Sequence, residues 1–157
     1  MANFDLHNET KDFVALNIGT ISTNTDTDGA IIDTSGFEAT KFIIHSGTIT
    51  DGVYVPSIYE SDDSAMAGAT VIAADFLIGT TNVTGERPSY ATIPVAPVTD
   101  ATFSLAADSN KVARIGCLNK KRYIRLRLTS TGTSSGGILS AVCELGYPHL
   151  KPTGKDK

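Results

Sequence analysis

The feature that most constrains the fold is the stretch from Lys120 to Tyr147, which reads KKRYIRLRLTSTGTSSGGILSAVCELGY. In its first half apolar side chains alternate with polar or aromatic ones, and this period of two is typical of a half-buried β-strand. In its second half apolar residues again recur at every second position, while the opposite face mixes apolar and polar residues. The positions that we predict to face a core are Ile124, Leu126, Leu128, Leu139, Ala141, Cys143 and Leu145.

Eight small or polar residues, 130–137, separate the two halves, and three of them are glycines that can adopt positive φ values. We therefore predict that the two halves pair as a β-hairpin at the centre of a sheet. In that arrangement Cys143 lies opposite Tyr123 and not opposite Cys117. Both cysteines are predicted to be buried free thiols, which suits a reducing compartment.

The rest of the chain contains short apolar runs separated by turn residues, which is the pattern of an all-β domain. The sharpest turn signal is Asp51-Gly52, because this dipeptide tolerates the backbone of a tight hairpin, and it predicts that 41–50 pairs with 53–60. Pro56 lacks an N–H group, which places its strand at an edge or at a bulge. We count about eight or nine strands and predict an all-β, antiparallel β-sandwich, since an alternating sheet buries its apolar face against a second layer.

The chain of 157 residues fits a single domain with its own core. We predict a polar N-terminal arm at 1–11 and an extended basic tail at 148–157, because Pro148 and Pro152 end the regular structure. Residues 75–79 are predicted to close with one helical turn. No apolar run is long enough to span a bilayer, and the N-terminus lacks a signal-peptide pattern, so we expect folding in a cytoplasm. The net charge of −4 argues against a nucleic-acid-binding protein.

One segment matches a catalytic motif. Residues 132–136 fit the G-x-S-x-G pattern of a serine-hydrolase nucleophile elbow, which needs a strand before it and a helix after it. The segment that follows is strand-like, and no histidine or acid is placed to complete a triad. We therefore predict a loop here, no catalytic residue elsewhere, no cofactor, and a protein that is not an enzyme.

Residues 24–29, NTDTDG, resemble the start of an EF-hand calcium loop. The bidentate carboxylate that such a loop needs at its twelfth position falls on Ser35, and no helices flank the segment. Aspartate and asparagine are also common in turns because their side chains bond the local backbone. Whether Asp26 and Asp28 bind an ion stays open from the sequence.

Three neighbouring carboxylates, Glu60, Asp62 and Asp63, could serve as an acid–base pair or as metal ligands. An exposed turn is the explanation that we favour and is our prediction. The three histidines have no ligand-like spacing, so we predict no metal site. The histidines are His7, His45 and His149.

The candidate interaction surface begins with one strand face that carries Tyr123, Arg125 and Arg127. Two arginines on a strand face exclude an ordinary core, so this face is either solvated charge or an interface with an acidic partner. Arginine and tyrosine are enriched at such interfaces. Lys151 and Lys155 of the basic tail complete the candidate surface.

Several stretches of the chain resemble a family of small structural proteins encoded by tailed bacteriophages. They are IIDTSGFEATKFIIHSGTITDG at 31–52, the YESDDS turn at 59–64, AADFLIG at 73–79, and KKRYIRLRLTSTGTSSGGILSAVCELGYPHLKP at 120–152. The stretches occur in the same order and, with their links, cover most of the chain. The N-terminal arm and residues 80–100 carry no part of the resemblance.

The proteins resembled are capsid cement or decoration proteins, which are similar to jelly-roll sandwiches and clamp neighbouring capsid subunits from outside. The resemblance implies a virion protein on the outer surface of the capsid, made in the host cytoplasm. It also implies the major capsid protein lattice as partner and a homo-dimer or homo-trimer, with no nucleic acid and no membrane.

Two other functions stay open from the sequence. A tail or baseplate component would also be structural. A carbohydrate-binding module is the alternative of a different class, because sandwiches often bind sugars. The absence of tryptophan weakens it, but the tyrosines leave it open: Tyr54, Tyr59, Tyr90, Tyr123 and Tyr147.

Overall fold

The structure is a computed structural model that describes residues 9–73, 76–80, 103–104 and 109–149. The ten elements it contains in these ranges are all β-strands. They are β1 (Thr10–Ile21), β2 (Asp26–Asp33), β3 (Phe37–Ile49), β4 (Val53–Ser61), β5 (Thr70–Val71), β6 (Leu77–Thr80), β7 (Phe103–Ser104), β8 (Val112–Cys117), β9 (Tyr123–Thr131) and β10 (Gly137–Pro148).

The strands form two antiparallel sheets. Sheet A has the order β1-β10-β3-β8-β6, and sheet B has the order β2-β9-β4-β5, with β7 also paired to β4. Without the short strands β6 and β7, eight strands form two four-stranded sheets, β1-β10-β3-β8 and β2-β9-β4-β5, which is the strand order of a jelly roll. The predicted antiparallel, jelly-roll-like β-sandwich is therefore confirmed, and the two short strands raise the count from the predicted eight or nine to ten.

The inner faces of the two sheets enclose one hydrophobic core. Every residue that the alternation of the last two strands assigned to the core is buried there, together with Phe42 and Ile44 of β3. Burial of one such large side chain contributes about 1.5–3 kcal/mol, so this core is the main stabilising term. Cys117 and Cys143 lie in the same core and form no disulfide, as the sequence predicts.

The predicted hairpin between the two halves of 120–147 is wrong. Strand β9 pairs with β2 and β4 in sheet B, whereas β10 pairs with β1 and β3 in sheet A. The loop at 132–136 therefore carries the chain from one sheet to the other, and Cys143 lies opposite Phe13 and Phe42, not Tyr123. An alternating strand buries the same face whether its neighbour in sequence lies beside it or across the core. Each strand is nevertheless central in its own sheet.

The hairpin predicted at Asp51-Gly52 is wrong for the same reason, since β3 belongs to sheet A and β4 to sheet B. Gly52 does adopt the positive φ that the dipeptide indicated, at 90°. The prediction for Pro56 holds among the described residues. One side of β4 pairs with β9 at this residue, and on the other side β7 and β5 cover only the two ends of β4.

The helical turn predicted at 75–79 is wrong from Leu77 onward, where the chain forms β6. Strand β6 pairs antiparallel with β8 and extends sheet A by one strand. Leu77 packs against the core, and Ile78 lies opposite Gly116. A pair of side chains that point to opposite faces suits a strand better than a single helical turn.

The sandwich has two ends. The terminal end holds the start of β1, the end of β10 and the loops 34–36 and 118–122; the Asp51 end holds the loops 22–25, 50–52 and 132–136. Strand β1 begins within the segment predicted as an arm, and β10 extends to the first residue of the predicted tail.

Candidate interaction surfaces

The described chain starts and ends on two neighbouring strands at the terminal end. Thr10 of β1 lies opposite Gly146 of β10. Beyond β10, the backbone N–H of His149 donates to a carbonyl of the loop at 34–36 over 2.9 Å. Residues 1–8 and 150–157 are therefore attached at the same end of the sandwich.

The loops of the terminal end are held by charged side chains. Arg122 forms a bidentate pair with Asp33, with Nε–Oδ1 at 2.9 Å and Nη2–Oδ2 at 2.7 Å. This hydrogen bonding lowers the pKa of Asp33 against the opposing effect of desolvation. On the other side of the loop, Glu60 Oε2 accepts from the backbone N–H groups of Lys120 at 2.7 Å and Lys121 at 3.3 Å. The terminal end thus presents fixed loops beside the two points where the terminal segments attach.

The outer face of sheet B carries a ladder of paired charges. Arg127 binds Asp28 through Nε–Oδ1 at 2.6 Å and Nη2–Oδ2 at 3.0 Å, and its Nη1 lies 3.3 Å from Asp26 Oδ2. Arg125 Nη2 lies 3.0 Å from the same Asp28, whose pKa is lowered chiefly by its hydrogen bond from Arg127. The Arg127 guanidinium also lies 4.7 Å from the ring centre of Tyr59. This face is therefore pre-ordered by contacts within the sheet.

The structure brings together three of the five residues of the predicted surface. Tyr123, Arg125 and Arg127 are half-buried on the outer face of sheet B, as their alternation indicated. Asp26 and Asp28 of β2 pair with the two arginines, so the positive charge of the arginines is already neutralised within the sheet and does not favour an acidic partner. Lys151 and Lys155 lie outside the described residues.

The outer face of sheet A carries an apolar row that sequence reasoning missed. Val14, Val142 and Ile43 lie side by side on β1, β10 and β3, because Val14 pairs with Val142 and Val142 with Ile43. Val14 is 60% exposed, and the other two are half-buried. Further apolar side chains that are at least one-third exposed lie around the row on the same face: Val112, Ile138 and Ile78.

One signal could have located this face. The second half of the 120–147 stretch places Ile138 and Val142 on the side away from the core, beside Ser140 and Glu144. An apolar residue on the solvent side of a strand is unremarkable alone, but a contiguous exposed patch marks an interaction site. The patch forms only when three distant segments pair, which the sequence pattern does not show.

A row of polar residues runs next to the apolar row on sheet A. The register aligns Asp12, Glu144, Lys41 and Gly116 across four strands. Lys41 Nζ and Glu144 Oε1 are 3.0 Å apart at the centre of this row. The apolar row ends on β8 at Arg114, which is exposed and pairs with Ile43.

At the Asp51 end, one carboxylate joins the loop at 50–52 to the loop at 132–136. The side chain of Asp51 accepts hydrogen bonds from three successive backbone N–H groups, those of Ser134, Ser135 and Gly136, and from the Ser134 hydroxyl. These bonds hold the pKa of Asp51 far below its usual range, with the Ser134 hydroxyl as the largest cause. Successive backbone N–H groups form a concave site for an anion, and here the chain supplies its own.

The motifs considered from sequence have structural explanations at these positions. Ser134 lies in a loop between two strands, which is the loop that we predicted and differs from the strand–helix setting of a nucleophile elbow. Asp26 and Asp28, considered as calcium ligands, bind arginine side chains. In the described ranges, no group of three or more His, Cys, Asp or Glu side chains is placed to hold a metal ion.

Of the three carboxylates predicted to form an exposed turn, Asp62 and Asp63 do so, whereas Glu60 lies in β4. Asp63 Oδ1 accepts from the backbone N–H of Ala65 at 2.7 Å, and the Ser61 hydroxyl donates to the carbonyl of Ala67 at 2.9 Å. Glu60 points to the neighbouring loop, away from this turn.

Within the ranges that the structure describes, there is no helix of the length and apolar character needed to cross a membrane.

The tyrosines offer little open ring surface among the described residues. Tyr54 is fully buried, and its hydroxyl lies 3.0 Å from the carbonyl oxygen of Ile21. Guanidinium groups lie near the rings of Tyr59 and Tyr123. Tyr147 is the described tyrosine with an exposed side chain, at 69%.

Comparisons with known proteins give one structural likeness. The crystal structure of the SPBc2 prophage-derived protein YomS aligns with 88% of this chain and 94% of that chain, with a TM-score of 0.45 and 11% sequence identity. No model of a protein family matches the chain, and no curated protein matches it.

Proposed function

We propose that this chain is a structural protein of a tailed-phage virion, a cement protein that binds the outside of the assembled capsid with its terminal end toward the shell. The observation that carries the proposal is the pairing of Thr10 with Gly146. It attaches both terminal segments, 1–8 and 150–157, at one end of a rigid sandwich. A domain built in this way can present both segments to the same surface.

Two short segments acting together suit a lattice. When one segment is bound, the other is held at high effective concentration near its own site, so weak contacts combine into firm binding. The C-terminal segment contributes three lysines, Lys151, Lys155 and Lys157, against the single acid Asp156. Acidic groups on the shell are therefore the complementary surface for this segment.

Binding to the intact lattice explains how such a protein would act as cement. A ligand that binds the assembled shell and not its separated subunits stabilises the shell by mass action. The resemblance of 31–52 and 120–152 to phage decoration proteins supports this function. A jelly roll alone does not, because the same fold serves many unrelated functions.

The alternatives differ in what they require of the surface. A tail or baseplate protein would use the same terminal end on another partner. A sugar-binding module needs open aromatic rings, and in the described part of the chain Tyr147 is the tyrosine that offers one. One open tyrosine ring in that part of the chain is little for a sugar site, so we favour a virion structural role over sugar binding.

The test uses capsids stripped of this protein. Adding back the full chain should raise the temperature and the osmotic stress at which stripped capsids break, and the chain should sediment with shells but not with free capsid subunits. A chain that stops at His149 keeps β10 whole, including Pro148, which is buried and pairs with Phe37. This shortened chain should fold normally and rescue the capsids poorly.

Two double variants with the same change in net charge, one in the C-terminal segment and one at the Asp51 end, test whether the place of the charge matters for capsid binding. Lys151→Gln with Lys155→Gln lowers the net charge by the same amount as Ser22→Glu with Thr23→Glu, two exposed residues at the Asp51 end. The first pair should weaken capsid binding and the second should leave it unchanged. Equal binding to shells and free subunits, or equal loss in both pairs, would refute the proposal.

A further inference from the structure

We propose that two copies of this chain associate face to face through the outer faces of their A sheets, about a two-fold axis that runs parallel to β10 and β3 and midway between them. This inference goes beyond the virion role and does not depend on it. It rests on the pattern of residues that the register places on this face.

The outer face of sheet A is built for close approach. The apolar row of Val14, Val142 and Ile43 crosses its middle, with more than half of Val14 exposed. The same face carries two small residues, Gly116 of β8 in the neighbouring row and Gly146 of β10 one row further on. Face-to-face sheets pack about 10 Å apart, and small residues let facing side chains interdigitate at that distance.

The axis is fixed by charge complementarity. Strands β10 and β3 are neighbours, and Glu144 of β10 lies directly opposite Lys41 of β3. A two-fold axis midway between these strands puts β10 of one copy over β3 of the other at the same height. Lys41 then faces the partner's Glu144, and Glu144 faces the partner's Lys41. The four groups alternate in sign, so both charges of each copy are paired twice.

The same rotation matches the two central residues of the apolar row with each other, while Val14 lies over the partner's Arg114. Val142 faces the partner's Ile43, and Ile43 faces the partner's Val142, because these residues are also cross-strand neighbours. At the margin, the exposed Asp12 of β1 lies over the partner's Gly116, beside the partner's Arg114. An isologous interface needs such self-complementarity, since the same patch serves on both copies.

The size of the face sets the expected strength. Four strands about 4.8 Å apart, with about eight residues each at 3.3 Å, give a face of about 500 Å² per copy. That places the pair at the lower limit for a specific interface, about 1,000 Å² in total. We therefore expect a dimer that dissociates on dilution.

The arrangement has a directional consequence. A two-fold axis parallel to the strands keeps the strand direction the same in both copies. The terminal ends of both copies therefore point the same way, and all the terminal segments of the dimer attach on one side. A dimer with perpendicular or antiparallel sandwiches would not have this property.

Sedimentation velocity of the full chain, over a roughly hundredfold range of concentration that reaches high micromolar values, tests the inference. The wild-type chain should change from monomer to dimer. Val142→Lys puts a charge at the centre of the face and should raise the dissociation constant at least about tenfold. Val55→Lys is the matched control, because Val55 is a strand valine on the outer face of the other sheet, sheet B. It should leave the dissociation constant unchanged.

A charge swap tests the axis itself. Lys41→Glu brings four carboxylates together and should abolish the dimer, while the double variant Lys41→Glu with Glu144→Lys restores alternation and should restore it. Melting temperatures of the monomers show whether each variant is folded. A monomeric wild-type chain at every concentration, a trimer, a Val142→Lys chain that still dimerises, or a failed rescue in a folded double variant would each overturn the proposal. Since these measurements use the isolated chain, their outcome is separate from capsid binding.

Discussion

Asp51 Oδ1 accepts a hydrogen bond from the backbone N–H of Gly136 at 2.6 Å, and this bond joins two of the three loops in which the chain crosses between the sheets at the Asp51 end. Asp51 belongs to the crossing from β3 to β4, and Gly136 to the crossing from β9 to β10. The backbone N–H of Thr50 completes the link by donating to the Gly136 carbonyl at 3.0 Å. One ionised side chain therefore fixes both crossings.

Replacing Asp51 by Asn should flatten the acid limb of the stability curve. The folded protein holds the pKa of Asp51 below its unfolded value, so the unfolded chain takes up this proton first. The contribution of Asp51 is therefore complete above about pH 4 and is lost progressively as the pH falls below that value. Melting temperatures from pH 2 to pH 7 should show a smaller fall in Asp51→Asn than in the wild-type chain.

The control for Asp51 is Asp62→Asn, an exposed aspartate of the turn near residue 60. It should leave the acid limb as steep as in the wild type. Asp28 and Asp33 also have lowered pKa values, so some acid sensitivity will remain in every variant. Curves for Asp51→Asn and the wild type that run parallel below pH 4 would contradict the role given to Asp51.

Truncating the centre of β9 on its two faces should have unequal effects. Leu126 is fully buried, and Leu126→Ala should lower the free energy of unfolding by about 2–5 kcal/mol because it leaves a cavity. Arg125→Ala on the outer face should cost less than about 1 kcal/mol, because Asp28 keeps Arg127 as a partner. Urea unfolding of both variants measures the difference. Equal losses would show that the inner face of β9 is misassigned.

Gly29→Ala tests the closeness of β1 and β2. A Cβ at Gly29 would press on the backbone oxygens of Ala15 and Leu126, whereas a Cβ at Gly19 would meet nothing within 4 Å. Gly29→Ala should therefore cost about 1–3 kcal/mol through overpacking. Gly19→Ala, a change of the same type in a neighbouring strand, should stay within about 0.5 kcal/mol of the wild type. Thermal unfolding of the pair is the measurement, and a similar shift in both would contradict this packing.

The two cysteines should be inert in the folded protein. Burial raises the pKa of Cys117 to about 12 and that of Cys143 well above its ordinary value. Since the thiolate is the reactive form, a thiol reagent at pH 8 should label neither cysteine in the native chain and both in denaturant. Rapid native labelling of either residue would place it outside the core.

The sequence predicts which faces are buried more reliably than which strands are neighbours. The alternation of Ile124, Leu126 and Leu128 correctly indicated their burial, because period two distinguishes the two faces of a strand in any topology. The same pattern could not show that the loop at 132–136 crosses between sheets. The positive φ of Gly52 was likewise predictable, but its role in a crossing was not.

The interaction surfaces were predicted only in part, because they too depend on which strands pair. Tyr123, Arg125 and Arg127 are close in sequence, so their shared face was visible. Their neutralisation by Asp26 and Asp28 depends on the pairing of β9 with β2, which joins residues about a hundred positions apart. The apolar row on sheet A requires three strands from both halves of the chain, and no local pattern could indicate it.

The adjacency of β1 and β10 at the terminal end also sets how the domain responds to mechanical load. Both strands leave the sheet at the same end and run antiparallel, so a force that separates the two chain ends peels them apart one hydrogen-bonded pair at a time, starting at Thr10 and Gly146. Peeling concentrates the force on a single pair, whereas shearing along the strands would share it among all of them. A domain of this construction bears load well only when both of its ends are held close together. Anchoring them side by side on one surface meets that requirement.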